Sequence, residues 1–235
     1  MTDDFQGSQN VIEAAMRLAA NRSWGEIRMT DIAQEANVTL ASLSAVASSR
    51  TEVLALFARH VDRLMLESLG RDPVSGDAHD RLFEVIMRRL EVMAPYRAAI
   101  ANILRSPGSD PADLPRLAAM MAETQGWVLA AAGLEDTGLR EGVKRLGLAS
   151  VYARTLRVWA EDDDPGQART MAALDKALRD GAATLKRVEP ALSLVASFGS
   201  LARGLWQSRR RSASKTAPEA PPRDEAPEPP REAAE

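Results

Sequence analysis

Residues 24–57, WGEIRMTDIAQEANVTLASLSAVASSRTEVLALF, decide how the chain folds. Ile32, Ala33 and Ala36 fall on one helical face, and Val38 and Leu43 follow at the spacing of a second packed helix. Asn37 stands between them, where the chain has to turn. The second helix starts at Thr39, whose hydroxyl can cap the open backbone N–H groups. It presents Leu40, Ser42 and Ser44 outward, on the side where the second helix of such a unit meets the major groove. A third helix opens with Ser49 and Glu52, the signature of a capping box, before the apolar run Val53, Leu54, Leu56 and Phe57. The grammar is that of a helix-turn-helix.

Outward from this stretch the pattern stays helical. A flexible start at 1–7 leads into a first helix at about 8–21, and the connecting helix of about 50–68 stops at Gly70, which bounds a helix-turn-helix domain at 8–68. The loop RDPVSGDA follows. Residues 80–93 place Leu82, Phe83, Ile86, Leu90 and Met93 at helical spacing, and Pro95 restarts the helix. After a Pro-, Gly- and Asp-rich loop (107–114) come helices at about 115–132, closed by Gly133, 139–160, closed by EDDDPG, and 167–187. Long apolar stripes with short loops describe a helical bundle over 78–188. With no period-two pattern anywhere, the class is all-α.

The segment from about residue 11 to 66 resembles the N-terminal domain of the TetR family of repressors. Ile12, Ala14, Ala15 and Leu18 match the first helix, and TDIAQEANV matches the turn. The likeness implies a dimeric regulator that binds a duplex DNA operator, with Arg28, Thr39, Leu40, Ser42, Ser44 and Arg50 at the DNA and a small apolar ligand in the bundle. Several positions depart from the family. Asn37 replaces the turn Gly, Ser44 and Ala47 replace the aromatics that usually close the recognition helix, Arg50 stands for the usual Lys, and Leu40 occupies the place of a basic residue. Residues 38–48 carry no charge, and positions 11–60 hold five Arg against five acids. Since affinity for DNA comes largely from phosphate neutralisation, such a face attracts it weakly, although hydroxyls and backbone N–H groups also hold phosphates.

The C-terminal half is similar to another family. Arg89, Leu90, Pro95, Trp127, Lys144, Arg145, Tyr152, Thr155, Trp159, Asp163, Thr170, Leu174 and Asp175 match the lipid-binding accessory family of ubiquinone biosynthesis, the ninth of the Coq proteins. That family resembles TetR-fold proteins without acting on DNA. The likeness implies an isoprenoid-like ligand and a peripheral membrane contact.

Trp127, Tyr152, Trp159 and the methionines Met87, Met93 and Met120 either line an apolar ligand tunnel, for which flexible Met is suited, or form ordinary core. The acid run at 161–164 is explained by a loop and a helix start without any cation. In 190–211 the residues Phe198, Leu201, Leu205 and Trp206 recur at helical spacing and are followed by Arg209, Arg210 and Arg211. An amphipathic helix of this kind suits a membrane surface, or docks on the bundle or on a second copy. Residues 212–235, rich in Pro, Ala and Glu, are expected to be disordered.

A composition of 45% hydrophobic residues in 235, with net charge −3, fits one or two globular domains and no general affinity for polyanions. The absence of cysteine fits a reducing cytoplasm, no secretory signal opens the chain, and no run of about 18 apolar residues spans a membrane. A cytoplasmic location follows, with room for a peripheral contact on the inner face of the membrane. His60 and His79 are the only histidines, and neither shares a helix with a metal-binding partner at the usual spacing. No cofactor, metal or enzymatic chemistry is therefore expected. Two functions fit: a homodimeric, ligand-controlled DNA-binding regulator, with its dimer formed through 139–160 and 167–187, or a lipid-binding accessory protein of the same fold.

Overall fold

In a computed structural model of the chain, which describes residues 2–70, 74–105 and 114–187, the helix-turn-helix pattern becomes two short helices joined by backbone hydrogen bonds. α2 (Met29–Glu35) ends where Asn37 takes a left-handed conformation with φ 53°. The Val38 N–H then donates to the Ala33 carbonyl at 3.0 Å and the Asn37 N–H to the Gln34 carbonyl at 3.1 Å, the two bonds of a Schellman close. Asn can stand where a glycine is usual because it tolerates this conformation. α3 (Leu40–Val46) follows, with Thr39 Oγ1 accepting the Ser42 N–H at 3.0 Å. α4 (Arg50–Leu69) starts beneath Ser49, whose Oγ accepts the Glu52 N–H at 3.2 Å. The return half of the capping box reaches one residue further back than the spacing predicts: the Glu52 carboxylate accepts both the N–H and the hydroxyl of Ser48 at 2.6 Å.

The remaining helices follow the apolar spacing. α1 (Thr2–Asn21) begins six residues before the expected start, taking in most of the stretch read as flexible, and Gly7 alone does not break it. α5 (Ala78–Met93) opens under Asp77, whose carboxylate accepts the N–H groups of His79 and Asp80 at 2.8 and 3.0 Å. Pro95 sits in a 3-10 turn, Ala94–Tyr96, that leads directly into α6 (Arg97–Arg105). α7 (Leu114–Ala131) closes at Gly133, φ 62°, and α8 is Leu139–Ala160. α9 (168–187) is seated by the acid run before it. Asp162 accepts the N–H and hydroxyl of Thr170 at 2.9 and 2.6 Å, and Asp164 accepts the N–H groups of Gly166 and Ala168 at 3.1 Å. Among the described residues there is no strand, so the fold is all-α. The expected loop at 107–114 up to residue 113, the helix at 190–211 and the tail at 212–235 lie outside the described residues.

α1 packs on α6, and Ala15 and Ala19 of the one and Ala99 of the other are buried. Asn102 on α6 donates to the Ala19 and Ala20 carbonyls at 3.0 and 2.9 Å, which satisfies acceptors that the end of α1 leaves open. α4 runs between the two halves and packs on α1, α5 and α7. Here a polar cluster is buried. Arg89 on α5 pairs with Asp62 on α4, their side chains 4% and 6% exposed. The Arg89 Nε donates to the Tyr152 hydroxyl on α8 at 3.1 Å, and the Thr124 hydroxyl on α7 donates to Asp62 at 3.2 Å. The Tyr152 hydroxyl in turn donates to Met93 Sδ at 3.3 Å. Burial pushes the Asp62 carboxyl up, while Arg89 and Thr124 oppose the rise.

A buried charge left without its partner is costly. Arg89→Ala should lower the free energy of unfolding by about 3–5 kcal/mol, whereas the double change Asp62→Leu with Arg89→Met should lose much less. Chemical denaturation of the three proteins checks both values.

Candidate functional site

A cavity of about 340 Å³ opens between α5, α7, α8 and α9. Its wall is Leu82 of α5, Leu129 of α7, Leu148 and Val151 of α8, and Leu178 and Leu185 of α9, with His79 and Lys144 as its only polar side chains among the described residues. Gly147 and Gly181 also line it. Each sits inside a helix, where glycine costs roughly 1 kcal/mol relative to alanine. A Cβ at Gly147 would meet nothing within 4 Å, so that position opens onto empty space. A Cβ at Gly181 would press on Val151 Cγ2 at 3.2 Å, so that glycine also lets α9 approach α8 closely. At the rim, Lys144 Nζ donates to the Leu134 carbonyl at 3.1 Å and pairs with Asp136 at 3.1 Å. His79 Nε2 lies 3.2 Å from an Asp175 carboxylate oxygen. The Thr137 N–H, and after it Lys144, hold the Asp136 carboxyl below the usual carboxylate range.

None of the six residues expected to form a tunnel lines this cavity. Met93 and Tyr152 are buried and spent on the Arg89 cluster. Trp159 is fully buried, with the Arg97 guanidinium 4.6 Å from its ring, and Arg97 also donates to the Asp162 carbonyl. Met87 and Met120 are half-buried, Met87 against the core, and Trp127 is 46% exposed. Met93, Tyr152 and Trp159 fill the seams between helices. The space lies among leucines and valines of α5, α7, α8 and α9, and the useful signal in the sequence was Gly147 and Gly181 inside two of those helices.

On the helix-turn-helix, Thr39, Leu40, Ser42 and Ser44 are all exposed, Leu40 by 52%. Their hydroxyls are occupied locally. Those of Thr39 and Ser42 lie 2.9 Å apart, and Ser44 donates to the Ala41 carbonyl at 2.8 Å. The flanking arginines are largely engaged as well. Arg50 is half-buried and donates to the Trp24 carbonyl, Arg17 pairs with Glu35 at 2.9 Å, and Arg22 pairs with Asp31 at 3.2 Å. Arg28 is exposed, at the start of α2, with its backbone N–H on Asp31 at 3.0 Å. Phe198, Leu201, Leu205, Trp206, Arg209, Arg210 and Arg211, the expected membrane-facing residues, lie outside the described residues.

A model of the COQ9 family matches residues 115–184, which cover α7 and α8 and most of α9 and so most of the cavity wall. Two solved structures share the fold. One is a TetR transcriptional regulator from Nitrosomonas europaea, 22% identical with a TM-score of 0.58, covering 74% of this chain and 97% of its own. The other is a TetR transcriptional regulator from a Rhodococcus species, 17% identical with a TM-score of 0.55, covering 76% of this chain and 97% of its own. A comparison with curated proteins yields no match. The fold is TetR-like, with an N-terminal helix-turn-helix and a helical bundle.

Because Gly147 faces open space in a helical conformation that alanine also adopts, Gly147→Ala should stabilise the protein by about 0.4–1 kcal/mol. Thermal denaturation reads the gain, and a loss would mean that the space is closed in solution.

Proposed function

We propose that this protein is a carrier of a small apolar, isoprenoid-like ligand, an accessory lipid-binding protein of the ubiquinone pathway that performs no chemistry of its own. The observation that carries this is the apolar cavity, whose wall is drawn mainly from the stretch that matches the COQ9 family. A cleft of this size, apolar with a few placed polar groups, is the usual form of a small-molecule site. The N-terminal domain supports the same function by what it lacks, since α3 is uncharged and Arg17, Arg22 and Arg50 are bound within the domain. Those pairings weaken the domain's attraction for phosphates, with Arg28 still exposed beside it.

A DNA-binding regulator is the second reading, favoured by the preserved turn at Asn37 and the exposed outer face of α3. In that case a second copy would dock on α8 and α9, where Leu139, Leu146 and Met171 are exposed. The two functions part in one experiment. Protein purified from its host is extracted with organic solvent and the extract analysed by mass spectrometry, beside a Gly147→Leu variant whose new side chain fills the cavity. The carrier function predicts a neutral apolar lipid in stoichiometric amount, reduced at least about tenfold in the variant, with DNA binding that is weak and unselective. Lipid-free protein that binds its own upstream DNA selectively at moderate salt would overturn it in favour of the regulator.

A further inference from the structure

We infer that the cavity selects electrically neutral ligands, accepting an apolar molecule with an uncharged oxygen head, such as an alcohol or a ketone, and rejecting carboxylates. This rests on the carrier function proposed above. The Lys144 ammonium at the cavity arrives already compensated, and the His79 ring has carboxylates near both of its nitrogens. Lys144, on α8, has Asp136 and the Leu134 carbonyl each 3.1 Å from its Nζ. His79, on α5, has Asp175 of α9 3.2 Å from Nε2 and Asp80 3.7 Å from Nδ1, and Asp175 is paired with Arg179 besides. The remaining lining residues are all glycine, alanine, valine or leucine.

An ionised head that leaves water for this wall gives up its hydration and finds no cation without an acid beside it. It also approaches Asp136 or Asp175, which repel it. A hydroxyl or carbonyl oxygen has far less hydration to lose. The Lys144 ammonium has three N–H bonds, two of which are committed, so one is left for a single acceptor. The spare Lys144 N–H, with the His79 ring as the other polar group on an apolar wall, fits one neutral oxygen at the end of a hydrocarbon.

The test compares dodecan-1-ol with dodecanoate by calorimetric titration of the full-length protein above pH 7, where the acid is ionised. The alcohol should bind at least about tenfold more tightly, since the chains are matched and only the buried charge differs. In Asp136→Asn the amide oxygen can still accept the Thr137 N–H, but Lys144 loses its counter-ion, and dodecanoate should gain enough to close most of the gap. Equal affinities for the wild-type protein, or a gap unchanged in Asp136→Asn, would overturn the inference and leave the carrier function standing. Binding of neither probe would remove the carrier function itself, and the inference with it.

Discussion

The buried pairing of Asp62 with Arg89 is the constraint on which the arrangement of this molecule depends. Neither charge can be left alone in the interior, so α4 and α5 must meet at this point, and the hydroxyls of Thr124 and Tyr152 bring α7 and α8 to the same place. α4 belongs to both halves, because it follows α3 directly and its far side packs on the bundle. The cluster therefore fixes how the helix-turn-helix is carried on the bundle. It also fixes the cavity. Tyr152 turns into the polar cluster while Val151, its neighbour about 100° round the helix, lines the apolar space, so α8 is the wall between the two.

The N-terminal domain has the geometry of a helix-turn-helix with an uncharged second helix. Its turn is closed by the Schellman bonds at Asn37, and its second helix is capped and exposed. Yet Arg50 holds the Trp24 turn, and Arg17 and Arg22 tie α1 and the segment after it to the acids of α2. Each of these contacts steadies the domain as a packing unit, and each gives the arginine a partner within the domain. The bundle shows the opposite emphasis, retaining helix-interior glycines that lower stability and leave space.

The fold was legible because its signals are local. Asn37, Thr39 and Ser49 each announce a turn or a cap through their own chemistry, and α8 ends where the spacing places it. The cavity was not legible, because a tunnel and a core have the same apolar periodicity; Met93, Tyr152 and Trp159 were equally suited to either and proved to be core. Asp62 gave no warning at all. On an amphipathic helix an acid reads as a solvated residue until its partner, 27 positions away, is packed against it. Gly147 carried a readable sign of the space beside α8, and Gly181 of the close approach of α9 to α8, since an interior helical glycine asks for a reason.

The most direct measurement is a crystal structure of the protein grown with a neutral isoprenoid alcohol such as farnesol. The account predicts the ligand between α5, α7, α8 and α9, in contact with Leu82, Val151 and Gly147, with its hydroxyl toward Lys144. A ligand seated instead among Met87, Met120 and Trp127, or a bundle closed on itself with Leu148 and Leu178 in contact across an eliminated cavity, would contradict it.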